Sequence, residues 1–70
     1  MDNSIQLLEI APALKHLLIN AGFTIEYILN SGPAEIAATL GIEVYVAKII
    51  FDAAKKNVNE RSFIEYTTMA

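Results

Sequence analysis

The sequence predicts an all-α domain of four to five short helices, and three observations carry that expectation. Apolar residues recur at helical spacing along most of the 70 residues. The two prolines stand where helices would begin, and glycines stand where they would end. Apolar residues make up 54% of the chain against 19% charged, a composition that builds a core and is far from that of a disordered segment.

The elements follow in chain order. Ile5, Leu7, Leu8 and Ile10 supply enough apolar surface for a brief first helix, in a stretch too short to show its period. Pro12 suits the first position of the next helix, because its missing N–H would be unpaired there in any case. Leu14, Leu17, Leu18 and Ala21 fall at i, i+3, i+4 and i+7 on one stripe, and Gly22 is the expected left-handed stop. Thr24 offers its hydroxyl as an N-cap to a two-turn helix through Ile25, Tyr27, Ile28 and Leu29, ending before Asn30, Ser31 and Gly32. Pro33 opens a third helix with Glu35 near its positive end, Ile36, Ala37 and Leu40 on its buried side, and Gly41 as its stop. A fourth is expected from about Glu43 to Lys56, with Val46, Ile49, Ile50 and Ala53 facing the core and Lys55 and Lys56 at its negative end. Beyond it the composition turns polar from Asn57 to Ser62, then apolar at Phe63, Ile64 and Tyr66. The reading is a helical domain at 1–57 followed by a linker and C-terminal tail at 58–70. A loose duplication of apolar residue, tight turn and apolar helix occurs around Ile10 and again around Ile42.

Composition narrows the function. The chain has no cysteine, which excludes a disulfide framework and a thiolate zinc site, and its one histidine, His16, cannot build an imidazole metal site alone. His16 is read as a solvated surface residue. Ser4, Ser31 and Ser62 lack a glycine-flanked elbow or a paired histidine, so they read as caps and turns rather than nucleophiles. Neither a catalytic constellation nor a cofactor or metal site is expected, and the chain is read as non-enzymatic. Apolar runs of about four residues are too short to span a bilayer, and Asp2, Asn3 and Ser4 directly after Met1 are unlike a secretory leader. A cytoplasmic protein with no membrane contact is expected. Eight acidic residues against five basic ones argue against strong non-specific nucleic-acid binding.

Short helices joined by Gly-centred turns, with turn plus helix occurring twice, look like a tandem helix-hairpin-helix domain. In particular the chain resembles the N-terminal domain of archaeal RadA-type recombinases. The resemblance is carried by Ala21, Gly22, Phe23, Thr24, Ile25 and Glu26, by Pro33 to Ala37, by Gly41 and Ile42, and by Ala47 to Ile50 with Ala53, Ala54 and Lys55. It extends from Leu7 to about Lys56, some fifty of the seventy residues. It implies a role in DNA recombination or repair, exerted on DNA or on a recombinase or other DNA-processing protein. In the family, a Gly-hydrophobic-Gly turn brings backbone N–H groups up to a DNA phosphate, helped by the partial positive charge of the following helix start. Here the corresponding turns read Glu9, Ile10, Ala11, Pro12 and Gly41, Ile42, Glu43, so each carries a carboxylate that repels phosphate. The candidate DNA contacts are Ile10, Ala11, Lys15, Gly41, Ile42 and Lys48, with Lys55 and Lys56 nearby, and any binding through them would be weak and salt-sensitive. The family's phosphate-binding ATPase core is not among these residues, so neither ATP hydrolysis nor strand exchange is expected of them. In the family a linker after this domain carries a Phe-x-x-Ala element that joins protomers; Phe63, Ile64, Glu65, Tyr66 stands at a comparable distance, with tyrosine in place of the alanine.

Helical phase adds a candidate protein surface. If Val46, Ile49, Ile50 and Ala53 face the core, then Val44, Tyr45 and Phe51 lie partly off that stripe, to be covered by a partner, the favoured reading, or by the first helix or the tail of the same chain. Together with Phe63 and Tyr66, for which folding back onto the domain is the competing reading, they are the candidate partner residues. Three functions compete: an adaptor of DNA transactions acting through protein contacts, a weak direct DNA binder using the hairpin turns, and a small homo-oligomerising scaffold. DNA titration at rising salt separates the second from the first, and a dimer that Tyr45→Glu or Phe51→Glu dissolves would mark the third.

Overall fold

The computed structural model describes the backbone of residues 4–69 and the side chains of residues 5–59, and among the described residues the ordered elements are all helical. A 3-10 turn at Ser4–Leu7 leads into α1 (Pro12–Asn20), α2 (Ile25–Ser31), α3 (Pro33–Leu40) and α4 (Val44–Met69). The expected brief first helix is therefore a single tight turn. It drives Ile5 and Leu8 into the core and leaves Leu7 outside. Leu8 N–H closes the turn by donating to the Ile5 carbonyl at 3.2 Å.

Start and stop chemistry places the short helices. Pro12 and Pro33 each occupy a first helical position. Thr24 sits extended before α2, and its hydroxyl accepts from Tyr27 N–H at 3.1 Å. Past the end of α1, Gly22 N–H donates to Ile19 C=O and Phe23 N–H to Leu18 C=O, the pair of bonds that a left-handed residue makes possible. Gly22 has φ +77°. Past α3 the left-handed residue is Gly41, at φ +69°, and Ile42 N–H reaches back to Ala37 C=O as Phe23 does to Leu18. These two helix ends stand 19 residues apart, Leu18, Gly22, Phe23 and Thr24 corresponding to Ala37, Gly41, Ile42 and Glu43. The backbone duplication the structure displays is thus centred on Gly22 and Gly41. The sequence pattern predicts it around Ile10 and Ile42.

Among the described residues the core is one cluster. Leu18 of α1, Phe23 in the turn, Ile25 and Ile28 of α2, and Ile36 and Ala37 of α3 converge on Ala47, Ile50 and Ala54 of α4. Phe23 meets Tyr27 edge to face, with ring centroids 4.8 Å apart. In α1 the expected stripe is buried only at Leu18; Leu14 and Leu17 are half-buried, and Ala21 is exposed beyond the helix end.

Helix α4 departs from expectation in phase and in length. Its core stripe is Ala47, Ile50 and Ala54, whereas Val46, Ile49, Ile50 and Ala53 were expected. The two stripes share Ile50, Ala53 packs half-buried against the core as expected, and the stripes differ by a rotation of about one residue. Helices α2 and α3 pack on α4, and small residues at the centre of the contact let backbones approach that Val46 and Ile49 would hold apart. Ile49 is consequently 51% exposed. In length, α4 runs on through the expected polar linker to Met69. Asn, Glu and Arg are all compatible with a helix interior, and no proline or glycine interrupts residues 44–69. Its 26 residues, at about 1.5 Å each, nearly span the molecule's longest dimension of 43 Å. Helix α2 likewise continues two residues past Leu29, because Gly32, not Asn30, is its C-cap.

Candidate interaction surfaces

The turn around Ile10 is held by side chains that the sequence reading assigned to DNA. Glu9 Oε1 accepts from Lys56 Nζ at 3.0 Å, tying the turn to α4, and both side chains remain largely exposed. Lys15 Nζ donates to the Gln6 carbonyl at 2.9 Å. Ile10 is half-buried against the core, Ala11 is exposed, and the Ala11 carbonyl accepts from Leu14 and Lys15 N–H. A carboxylate, an engaged lysine and an apolar plug are what this turn presents.

The turn around Ile42 uses its own backbone. Gly41 and Ile42 N–H both donate to Ala37 C=O, at 2.9 and 3.1 Å, so neither amide is aimed outward as a phosphate cradle requires. Ile42 packs half-buried on the core. Glu43 precedes α4, and its carbonyl accepts from Val46 and Ala47 N–H. A carboxylate at this end of the helix suits the macrodipole and disfavours an anion. Lys48 is exposed on the first turns of α4. Of the six residues assigned to DNA, Ile10 and Ile42 are packing residues, Lys15 is engaged locally, and Ala11, Gly41 and Lys48 are exposed.

The outer face of α4 is different in character. Val44 and Tyr45 are exposed, at 57% and 65%, as the sequence reading expected of a partner surface. Phe51 is not part of that surface. It packs half-buried on the core, with Lys55 Nζ 5.6 Å from its ring centroid. Its place is taken by Ile49, one turn beyond Tyr45, which the sequence reading put in the core. The exposed face continues through Asp52, Lys56 and Asn59. The signal that could have found Ile49 is its four-residue step from Tyr45, continued by three to Asp52 and four to Lys56. Phe63 and Tyr66 lie outside the residues whose side chains are described.

His16 is exposed on α1, and among the described residues no group of His, Asp and Glu is arranged to hold a metal ion. Among them, too, no helix is long and apolar enough to cross a membrane. No family model matches this chain, and no curated protein or solved structure shows significant similarity to it.

Proposed function

We propose that this chain is a non-enzymatic adaptor or regulatory module of DNA transactions such as recombination and repair, working through a protein contact on the outer face of α4. The observation that carries this reading is the exposure of Val44, Tyr45 and Ile49 together at the start of that helix. Large apolar side chains grouped in water are stabilised by a partner that covers them, and an aromatic beside aliphatic residues is the composition of a contact hot spot. The link to DNA transactions rests on the resemblance to the recombinase N-terminal domain, and the paired left-handed turns at Gly22 and Gly41 are in keeping with a tandem helix-hairpin-helix arrangement. Direct DNA binding is the weaker reading, because the turns at Ile10 and Ile42 carry the carboxylates Glu9 and Glu43 and the Gly41 and Ile42 amides are spent within the fold.

An NMR titration of the nitrogen-15-labelled chain tests the proposal. With a purified RadA-type recombinase, amide shifts are expected at Val44, Tyr45 and Ile49, and they should vanish in Tyr45→Glu. With short duplex and single-stranded DNA the spectrum should stay unchanged at physiological salt. Shifts at Ile10 to Ala13 and Ile42 to Val44 that fade as salt rises would replace the adaptor with a DNA binder.

A further inference from the structure

Tyr45, Ile49, Asp52, Lys56 and Asn59 are all exposed on α4 and follow one another at steps of four, three, four and three residues. Their mean spacing, about 3.5, keeps a stripe turned toward a second helix along its length. The sequence continues the spacing to Phe63 and Tyr66, and the α4 backbone is helical to Met69. The opposite side of the same helix, Ala47, Ile50 and Ala54, is wholly used by the core.

We propose that this stripe is a seam for a second copy of the chain, laid antiparallel along α4. The proposal rests on the reading of the outer α4 face as a protein contact and gives that face, in the free chain, a second copy that a DNA-processing partner has to displace. Charge selects both occupant and direction. A parallel pair would set Asp52 against Asp52 and Lys56 against Lys56, two like-charge contacts. An antiparallel pair, with its two-fold axis at the level of residue 54, sets Asp52 opposite Lys56 of the second copy, and symmetry makes that contact twice. The same register brings Ile49 opposite Asn59 and Tyr45 opposite position 63, so the apolar positions lie toward the two ends of the seam and the charges at its centre. Lys56 already holds Glu9 in its own chain, so Asp52 of the second copy joins an existing ion pair at this position. Polar groups at the centre of such a seam specify direction and register at a cost in affinity, so the dimer is reversible.

Sedimentation equilibrium of the full chain from micromolar to millimolar concentration reads the result directly. The wild type should approach twice the 7.7 kDa of one chain. Asp52→Lys and Lys56→Asp should each stay monomeric where the wild type dimerises, while circular dichroism shows their helix content intact. An equimolar mixture of the two variants should recover the dimer, because every seam contact then meets its opposite charge. The chain has no cysteine, so a disulfide forming between Ile49→Cys and Asn59→Cys chains on mixing reports the antiparallel register without altering any charge. A wild type that stays at 7.7 kDa at millimolar concentration overturns the proposal. So does a dimer that both charge variants form as readily as the wild type, or a cross-link that prefers Ile49→Cys to itself. A monomer that still shows Tyr45 and Ile49 shifts with the recombinase removes the second copy and keeps the partner reading. A monomer showing neither removes both.

Discussion

Truncating Ile50 and Ile49 to alanine in separate variants tests the packing of α4, because the two neighbours have the same chemistry and opposite environments. Ile50 is fully buried against α2 and α3, so Ile50→Ala loses transfer free energy and leaves a cavity, together about 2–5 kcal/mol. A chain of 70 residues has a total stability of roughly 4–10 kcal/mol, so this one change removes a large part of it. Ile49 is 51% exposed, and its truncation loses about half of a side-chain burial while gaining a few tenths of a kcal/mol in helix propensity. The net for Ile49→Ala is a loss below about 1 kcal/mol. Urea unfolding followed by circular dichroism at 222 nm separates the two. With a slope of about 1 kcal/mol per molar urea, Ile50→Ala should lower the midpoint by about 2 M or more and Ile49→Ala by less than about 1 M. Equal losses would mean that both isoleucines face the core. That result would refute the Ala47, Ile50, Ala54 stripe and the exposed seam built on its opposite side.

Two further outcomes follow from the helix ends. Gly41→Ala should cost about 1–2 kcal/mol in a thermal melt purely through its φ of +69°, because a Cβ there meets nothing within 4 Å; Gly41→Asn should cost less. Thr24→Ala should lose about 1 kcal/mol by removing the hydroxyl that Tyr27 N–H donates to, and Thr24→Ser should retain it; equal stability of all three in urea would show that the cap contributes nothing.

The parts legible in the sequence are those governed by single residues acting on their immediate neighbours. Pro12, Thr24, Pro33, Gly22 and Gly41 mark helix ends because each supplies a fixed φ, a hydroxyl acceptor or a left-handed backbone, and the structure uses each in that way. The candidate surfaces were legible in part. Val44 and Tyr45 stand outside as expected, but Ile49 and Phe51 exchange roles, because α4 is apolar on nearly every side through residues 44–51. Hydrophobicity alone ranks Val46 and Ile49 above Ala47 and Ala54 as core residues. Close approach of α2 and α3 ranks them the other way.

The lysines repeat the lesson at the hairpin turns. A basic side chain near a turn reads as a phosphate contact, yet Lys15 caps the Gln6 carbonyl and Lys56 bridges 47 residues to Glu9. Such pairings depend on where the N-terminal turn settles against α4, which no local pattern encodes. By itself, then, the sequence determined that the described residues are all-helical, where α1, α2 and α3 begin and that α1 and α3 stop at glycines, since these are local properties of backbone and cap; it placed the end of α2 two residues early. Only the tertiary structure decided which side of α4 is buried and which is left exposed, since that depends on how closely neighbouring helices can pack, a property of pairs of surfaces and not of one strip of residues.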